Sequence, residues 1–155
     1  MKTGKNGWLL LLLFLFSCSE KEVFYEFHSF KNEEWNRKEA ADFTVNITDS
    51  LSTYNLDVIL RNNSDYPFQN LWLFIDRTDS KGEFLSDTLN VELADVYGKW
   101  HGKGLSLYSL TIPYQSGINY SSGGDYVYSI RQGMRTDPIR GISDVGLRIS
   151  KKTAK

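Results

Sequence analysis

From Asp42 onward the apolar residues of this chain recur at every second position. Phe43, Val45 and Ile47 alternate with Thr44, Asn46 and Thr48, and Tyr54, Leu56, Val58 and Leu60 follow at the same spacing. A period of two puts all of them on one face of an extended strand, whereas a helix would scatter them around its axis. Turn residues punctuate the pattern. Arg61-Asn62-Asn63-Ser64-Asp65-Tyr66-Pro67 is turn chemistry, because Asn and Asp tolerate left-handed dihedrals and Pro fixes one torsion. Asp79-Ser80-Lys81-Gly82 reads as a hairpin turn into Glu83-Phe84-Leu85, and Ser121-Ser122-Gly123-Gly124 marks another turn.

Between the turns lie further strands. Leu71 to Thr78 is almost continuously apolar and reads as a central strand, with Trp72 in the core between Leu71 and Leu73. Thr88–Leu93, Leu105–Ile112 (ending at Pro113), Tyr126–Arg131 and Val145–Ser150 complete the set, with loops at 94–104 and 133–144. Short strands with turn signals at intervals of about 8–12 residues and no long amphipathic helix predict an all-β, single-domain antiparallel β-sandwich of about 7–9 strands.

The N-terminus predicts an export signal. Lys2 and Lys5 precede an apolar run from Trp8 to Phe16, followed by Ser17 and the only cysteine, Cys18. The run is too short to span a bilayer, which takes about 20 residues, and fits the hydrophobic segment of a signal peptide. Leu15, Ser17 and Cys18 have lipobox character, with Phe16 bulkier than usual. The expected organisation is a cleaved lipoprotein signal peptide at 1–17, a lipidated N-terminus, tether and docking segment at 18–40, and the sandwich at 41–155. Lipid on Cys18, thioether-linked diacylglycerol with an amide-linked acyl chain such as palmitate, would anchor the protein stably, since two or more chains hold where one does not.

After removal of 1–17, 16 basic residues face 19 acidic ones, a net charge of about −3. Nucleic-acid binding would call for a basic patch, so no nucleic-acid partner is expected. The membrane contact is assigned to the lipid. Catalytic patterns fail on inspection. Gly141-Ile142-Ser143-Asp144-Val145-Gly146 misses the G-x-S-x-G elbow by one place, and Gly98–Gly104 lacks the phosphate-loop spacing. Asp76–Gly82 departs from the EF-hand register. His28 and His101 stand far apart at no metal-ligand spacing. The expectation is no enzyme, no cofactor and no metal.

Aromatic residues leave two readings open. Trp35, Trp72, Trp100, Tyr108, Tyr114, Tyr120, Tyr126 and Tyr128 supply enough rings for a sugar-stacking platform, or they pack the core and sheet edges. Trp100, set among glycines, is also a candidate interface anchor. If the chain is a non-enzymatic subunit of an envelope assembly, its turn residues Arg61, Asn62, Asn63, Asp65, Tyr66, Pro67 and Phe68, with Trp100, are candidate partner contacts. Asp49-Ser50-Leu51 and Asp87-Thr88-Leu89 resemble a bacterial O-glycosylation acceptor, which makes Ser50 and Thr88 candidate modification sites.

Residues 54–74 (YNLDVILRNNSDYPFQNLWLF) resemble the signature stretch of the GldH gliding-motility lipoproteins of Bacteroidetes. Asp87-Thr88-Leu89, Ala94-Asp95 with Gly98-Lys99-Trp100 and Gly102-Lys103-Gly104, and Gly141 to Ile149 match in the same order, as does the position of Cys18. The resemblance implies a non-enzymatic envelope lipoprotein, lipid-anchored in the outer membrane. It also implies accessory service to the gliding-motility and type IX secretion machinery, with envelope proteins as partners. The alternative carried beside it is a surface glycan-binding β-sandwich lipoprotein.

Overall fold

The computed structural model describes residues 21–152. The signal segment 1–17 and Cys18 lie outside the described residues. Ten strands follow in chain order: β1 (Lys21–Ser29), β2 (Glu34–Trp35), β3 (Ala41–Ile47), β4 (Tyr54–Asn62), β5 (Asn70–Asp79), β6 (Phe84–Glu92), β7 (Tyr108–Ile118), β8 (Gly124–Gln132), β9 (Ile139–Arg140) and β10 (Ile142–Lys151). Eight are long, and no α-helix occurs among the described residues. They form a four-stranded sheet in the order β1-β10-β4-β7, a second in the order β3-β8-β5-β6, and a short β2-β9 pair, all antiparallel. The two large sheets pack face to face as a β-sandwich, the architecture that the period-two pattern predicts.

Pleating decides which side chains enter the core. In β3 burial alternates without a break, with Ala41, Phe43, Val45 and Ile47 inside. Leu71, Leu73 and Ile75 of β5 and Tyr126, Tyr128 and Ile130 of β8 extend that inner face. Tyr54, Leu56, Val58 and Leu60 of β4 oppose them, with Val145, Leu147 and Ile149 of β10. At one side β1 lies over β3, where Phe24 meets the Phe43 ring edge-on at 6.3 Å.

Several elements differ from the sequence expectation. Trp72 is 42% exposed rather than core, because it sits between two inward positions of β5 and points out. In an apolar run the parity of the strand is invisible, and only pairing reveals it. β7 does not end at Pro113 but runs through it. β7 is an edge strand, and Pro113 falls at a register shift opposite Asp57, the kind of site where a residue without an N–H is tolerated. The expected loop at 133–144 contains β9 and the start of β10. Leu105 lies outside any strand, and 84–92 forms one continuous strand.

Residues 21–40 are built into the sandwich. β1 pairs along its whole length with β10, and the chain then packs Trp35 into the core at 0% exposure. Phe30 stacks on the Trp35 ring at 4.3 Å, and Trp35 Nε1 donates to the Glu39 carbonyl at 2.9 Å.

Gly141 joins β9 to β10 at φ +82°, and a Cβ there would lie 2.2 Å from the Tyr66 nitrogen. Gly141→Ala therefore meets both a backbone penalty and a clash with main chain. We expect a loss of about 3 kcal/mol or more, read as a lower urea midpoint at unchanged slope. A variant as stable as the parent would show that the 63–66 loop can move aside.

Candidate functional site

The strand order gives the sandwich two unlike ends. Lys21, the first residue of β1, pairs with Lys151 at one end, beside the connections 48–53, 80–83 and 119–123. The connections 30–40, 63–69, 93–107 and 133–138 gather at the other end. β1 spans nine residues between them, or about 30 Å at the rise of a strand.

At the far end the structure brings together the two loops singled out from sequence. Asn63 shapes the first: its N–H donates to the Gly141 carbonyl at 2.9 Å, its Oδ1 accepts from Asp65 N at 2.8 Å, and its Nδ2 donates to the Glu33 carboxylate. Tyr66 is buried, and its hydroxyl donates to the Asn70 carbonyl at 2.8 Å. Burial pushes the Tyr66 phenol well above its ordinary range. Asn62 is buried too, with Nδ2 3.2 Å from the Asn63 carbonyl. Arg61 is half-buried and lies 3.8 Å above the Phe27 ring, on the outer face of the first sheet. Asp65 and Pro67 are exposed, and Phe68 is half-buried against the Tyr66 ring. The loop thus divides into buried struts and an exposed rim.

The second loop is pinned to the first. The Gln69 carbonyl accepts from Leu93 N at 2.7 Å and Ala94 N at 3.0 Å, and Gln69 Nε2 donates to the Asp95 carbonyl at 2.9 Å. Asp95 closes the turn beyond, its Oδ1 accepting from Tyr97 N and Lys99 N at 2.9 Å each. The Lys99 N–H is the main cause holding the Asp95 carboxyl below its usual range. Trp100 is half-buried and stacks on Tyr108 at 5.8 Å, so it props the loop rather than capping it. The exposed apolar side chains are ones sequence reasoning missed: Val96 (79%), Tyr97 (92%) and Leu105 (98%). Their signal was available as apolar residues inside a glycine-rich loop. All three lie in the 93–107 connection at this end of the sandwich.

The remaining candidates lie elsewhere. Ser50 is half-buried in the turn at the opposite end, where the Asp49 carboxylate takes bonds from Lys151 Nζ (2.6 Å), Ser52 Oγ (2.7 Å) and Leu51 N (3.1 Å). The Lys151 bond is the foremost cause holding the Asp49 carboxyl far below its ordinary range. Thr88 is exposed on edge strand β6, opposite Phe74. Tyr120, Tyr126 and Tyr128 are buried, with Tyr120 and Tyr128 sharing a 2.8 Å hydroxyl contact, so they and Trp35 form core rather than a platform. His28 and His101 each face a carboxylate, Glu39 at 3.3 Å and Glu92 at 3.9 Å. Among the described residues no group of three His, Cys, Asp or Glu converges as metal ligands would.

The profile of the GldH lipoprotein family matches residues 22–149. The chain is 34% identical over 158 residues to the gliding motility lipoprotein GldH of Flavobacterium johnsoniae, covering 96% of this chain and 98% of that protein. It is 30% identical over 152 residues to a gliding motility lipoprotein GldH homolog of Christiangramia forsetii, covering 93% of each.

Proposed function

The chain belongs to the GldH lipoprotein family, and we propose that it is a non-enzymatic cell-envelope lipoprotein serving gliding motility. In this reading residues 1–17 are removed and Cys18 carries the lipid. Residues 18–40 lead from the anchor into the domain that 41–155 complete. The anchor holds the protein in the outer membrane, where it acts as an accessory component of the gliding and type IX secretion machinery.

The observation that carries the reading is polarity along the strands. Cys18 precedes Lys21 by three positions, and three residues reach at most about 11 Å. The lipid is therefore tied to the Lys21–Lys151 end. The exposed Val96, Tyr97 and Leu105 lie at the opposite end, turned toward the machinery. Asp65, which shares a cleft with Ser106 and Leu107, supplies a polar edge beside the exposed Pro67, while Asn62, Tyr66 and Trp100 hold its shape. An aliphatic and aromatic centre with a polar rim is the usual anatomy of a protein-binding patch.

Affinity purification of the lipidated protein, with mass spectrometry of its companions, tests this. Gliding and secretion components are expected to co-purify. The variant Val96→Asp, Tyr97→Asp, Leu105→Asp should melt as the parent does, since these side chains touch little, yet recover about ten-fold less of those proteins. Undiminished recovery would place the contact elsewhere; recovery of no envelope protein by the parent would end the machine reading.

A further inference from the structure

A second surface lies on the outer face of the β3-β8-β5-β6 sheet. Trp72 and Phe74 project from alternate positions of β5 into an open groove of ≈ 530 Å³ whose walls include Phe68, Met134 and Arg135. We propose that this groove binds a saccharide, with a sugar ring stacked on Trp72. The proposal does not rest on the motility reading, since it concerns a different chemistry, although its wall shares Phe68 with the 63–69 loop.

The size is that of a small-ligand site, which runs from about 300 to 1,000 Å³. The polar groups argue for sugar. Asn90 lies directly opposite Trp72 on β6, and Asn70 Nδ2 donates to Asn90 Oδ1 at 2.9 Å. That bond fixes the Asn70 amide in the groove wall and leaves its Oδ1 as an acceptor for a hydroxyl. Thr88 stands opposite Phe74 and adds a hydroxyl, while Arg135 adds exposed donors. A pyranose has apolar C–H faces and a hydroxyl-bearing edge, and this floor of rings edged by amides and hydroxyls matches both. A seat for an aliphatic chain would have no use for the amide pair.

The groove is also preformed. Gly133 N donates to the Trp72 carbonyl at 2.7 Å, and Arg37 Nη2 donates to the carbonyls of Met134 and Arg135 at 2.8 Å each, which holds the 133–136 wall against the sheet. A Cβ at Gly133 would sit 3.0 Å from the Phe74 ring, so the glycine lets that ring pack against the wall. A site ordered before binding loses less entropy when it is filled.

Saturation-transfer NMR on the full lipidated chain, in a detergent without a sugar headgroup, tests the proposal. The probes are maltohexaose, laminarihexaose and chitohexaose as neutral sugars and hexagalacturonate as an acidic one. At least one is expected to receive saturation, and the acidic arm reports whether Arg135 selects for charge. Trp72→Ala should weaken binding about ten-fold or more, Trp72→Phe should recover part of it, and Tyr25→Ala, at an exposed position of β1 in the other sheet, should leave it unchanged. The melting temperature of each variant confirms folding. Absence of transfer to all four probes, or equal affinity in Trp72→Ala, would overturn the proposal. So would a photo-crosslinker at position 88 that captures a polypeptide in cells.

Discussion

Trp35→Ala is expected to remove about 3–5 kcal/mol of folding stability, the cost of emptying a large buried aromatic site. Trp35 is fully buried, stacked on Phe30 and hydrogen-bonded to the Glu39 carbonyl. Truncation would leave a cavity beneath the 30–40 connection and deprive that carbonyl of its donor. Against a total stability of about 5–15 kcal/mol, a loss of this size is a large fraction of the whole. Urea unfolding monitored by far-UV circular dichroism measures it. Trp72→Ala is the matched control. Its side chain faces solvent, so its cost should stay within about 1 kcal/mol. Equal losses in the two variants would mean that burial does not separate these tryptophans in solution.

Cys18→Ala is expected to abolish membrane anchoring. The thiol is the only one in the chain, so no second cysteine can take the lipid in its place. A chain bearing two or three acyl groups stays in the bilayer, and one bearing none has only its surface to hold it. Residues 18–155 carry a net charge of about −3, which gives no attraction to anionic headgroups. Fractionation should move the variant from the membrane to the soluble or unprocessed pool. Intact-mass analysis should find the diacylglyceryl and acyl increments on the parent and neither on the variant. A Cys18→Ala chain still in the washed membrane fraction would show that another contact supplies the anchor. Because the variant keeps every residue from 21 onward, its motility phenotype isolates placement from folding.

Much of the fold is legible in the sequence alone. Strict alternation places Phe43, Val45 and Ile47 on the inner face of β3, and the structure adds Ala41 to that face. The Asp79–Gly82 turn joins β5 to β6 as the hairpin chemistry requires, with Gly82 at φ +82°. The candidate loops were legible as loops, though not as neighbours. Nothing local told Asn62 and Tyr66, which are buried, from Asp65 and Pro67, which are exposed. Their separation depends on Gly141, far along the chain, receiving the Asn63 N–H and leaving room for the Tyr66 backbone.

By itself the sequence determined the all-β class, the turns and the family likeness, and it carries the reading of Cys18 as the anchor. Each of these is written in residues close together in the chain, as a period, a dipeptide or a motif. Tertiary structure alone decided that Trp72 faces out and Trp35 in, that β7 continues through Pro113, and that the loops at 63–69 and 93–107 meet at one end. These follow from which strands pair and in what register, and a shift of one residue sends every side chain to the other face. Such pairings join residues as distant as Lys21 and Lys151, and no local pattern encodes them.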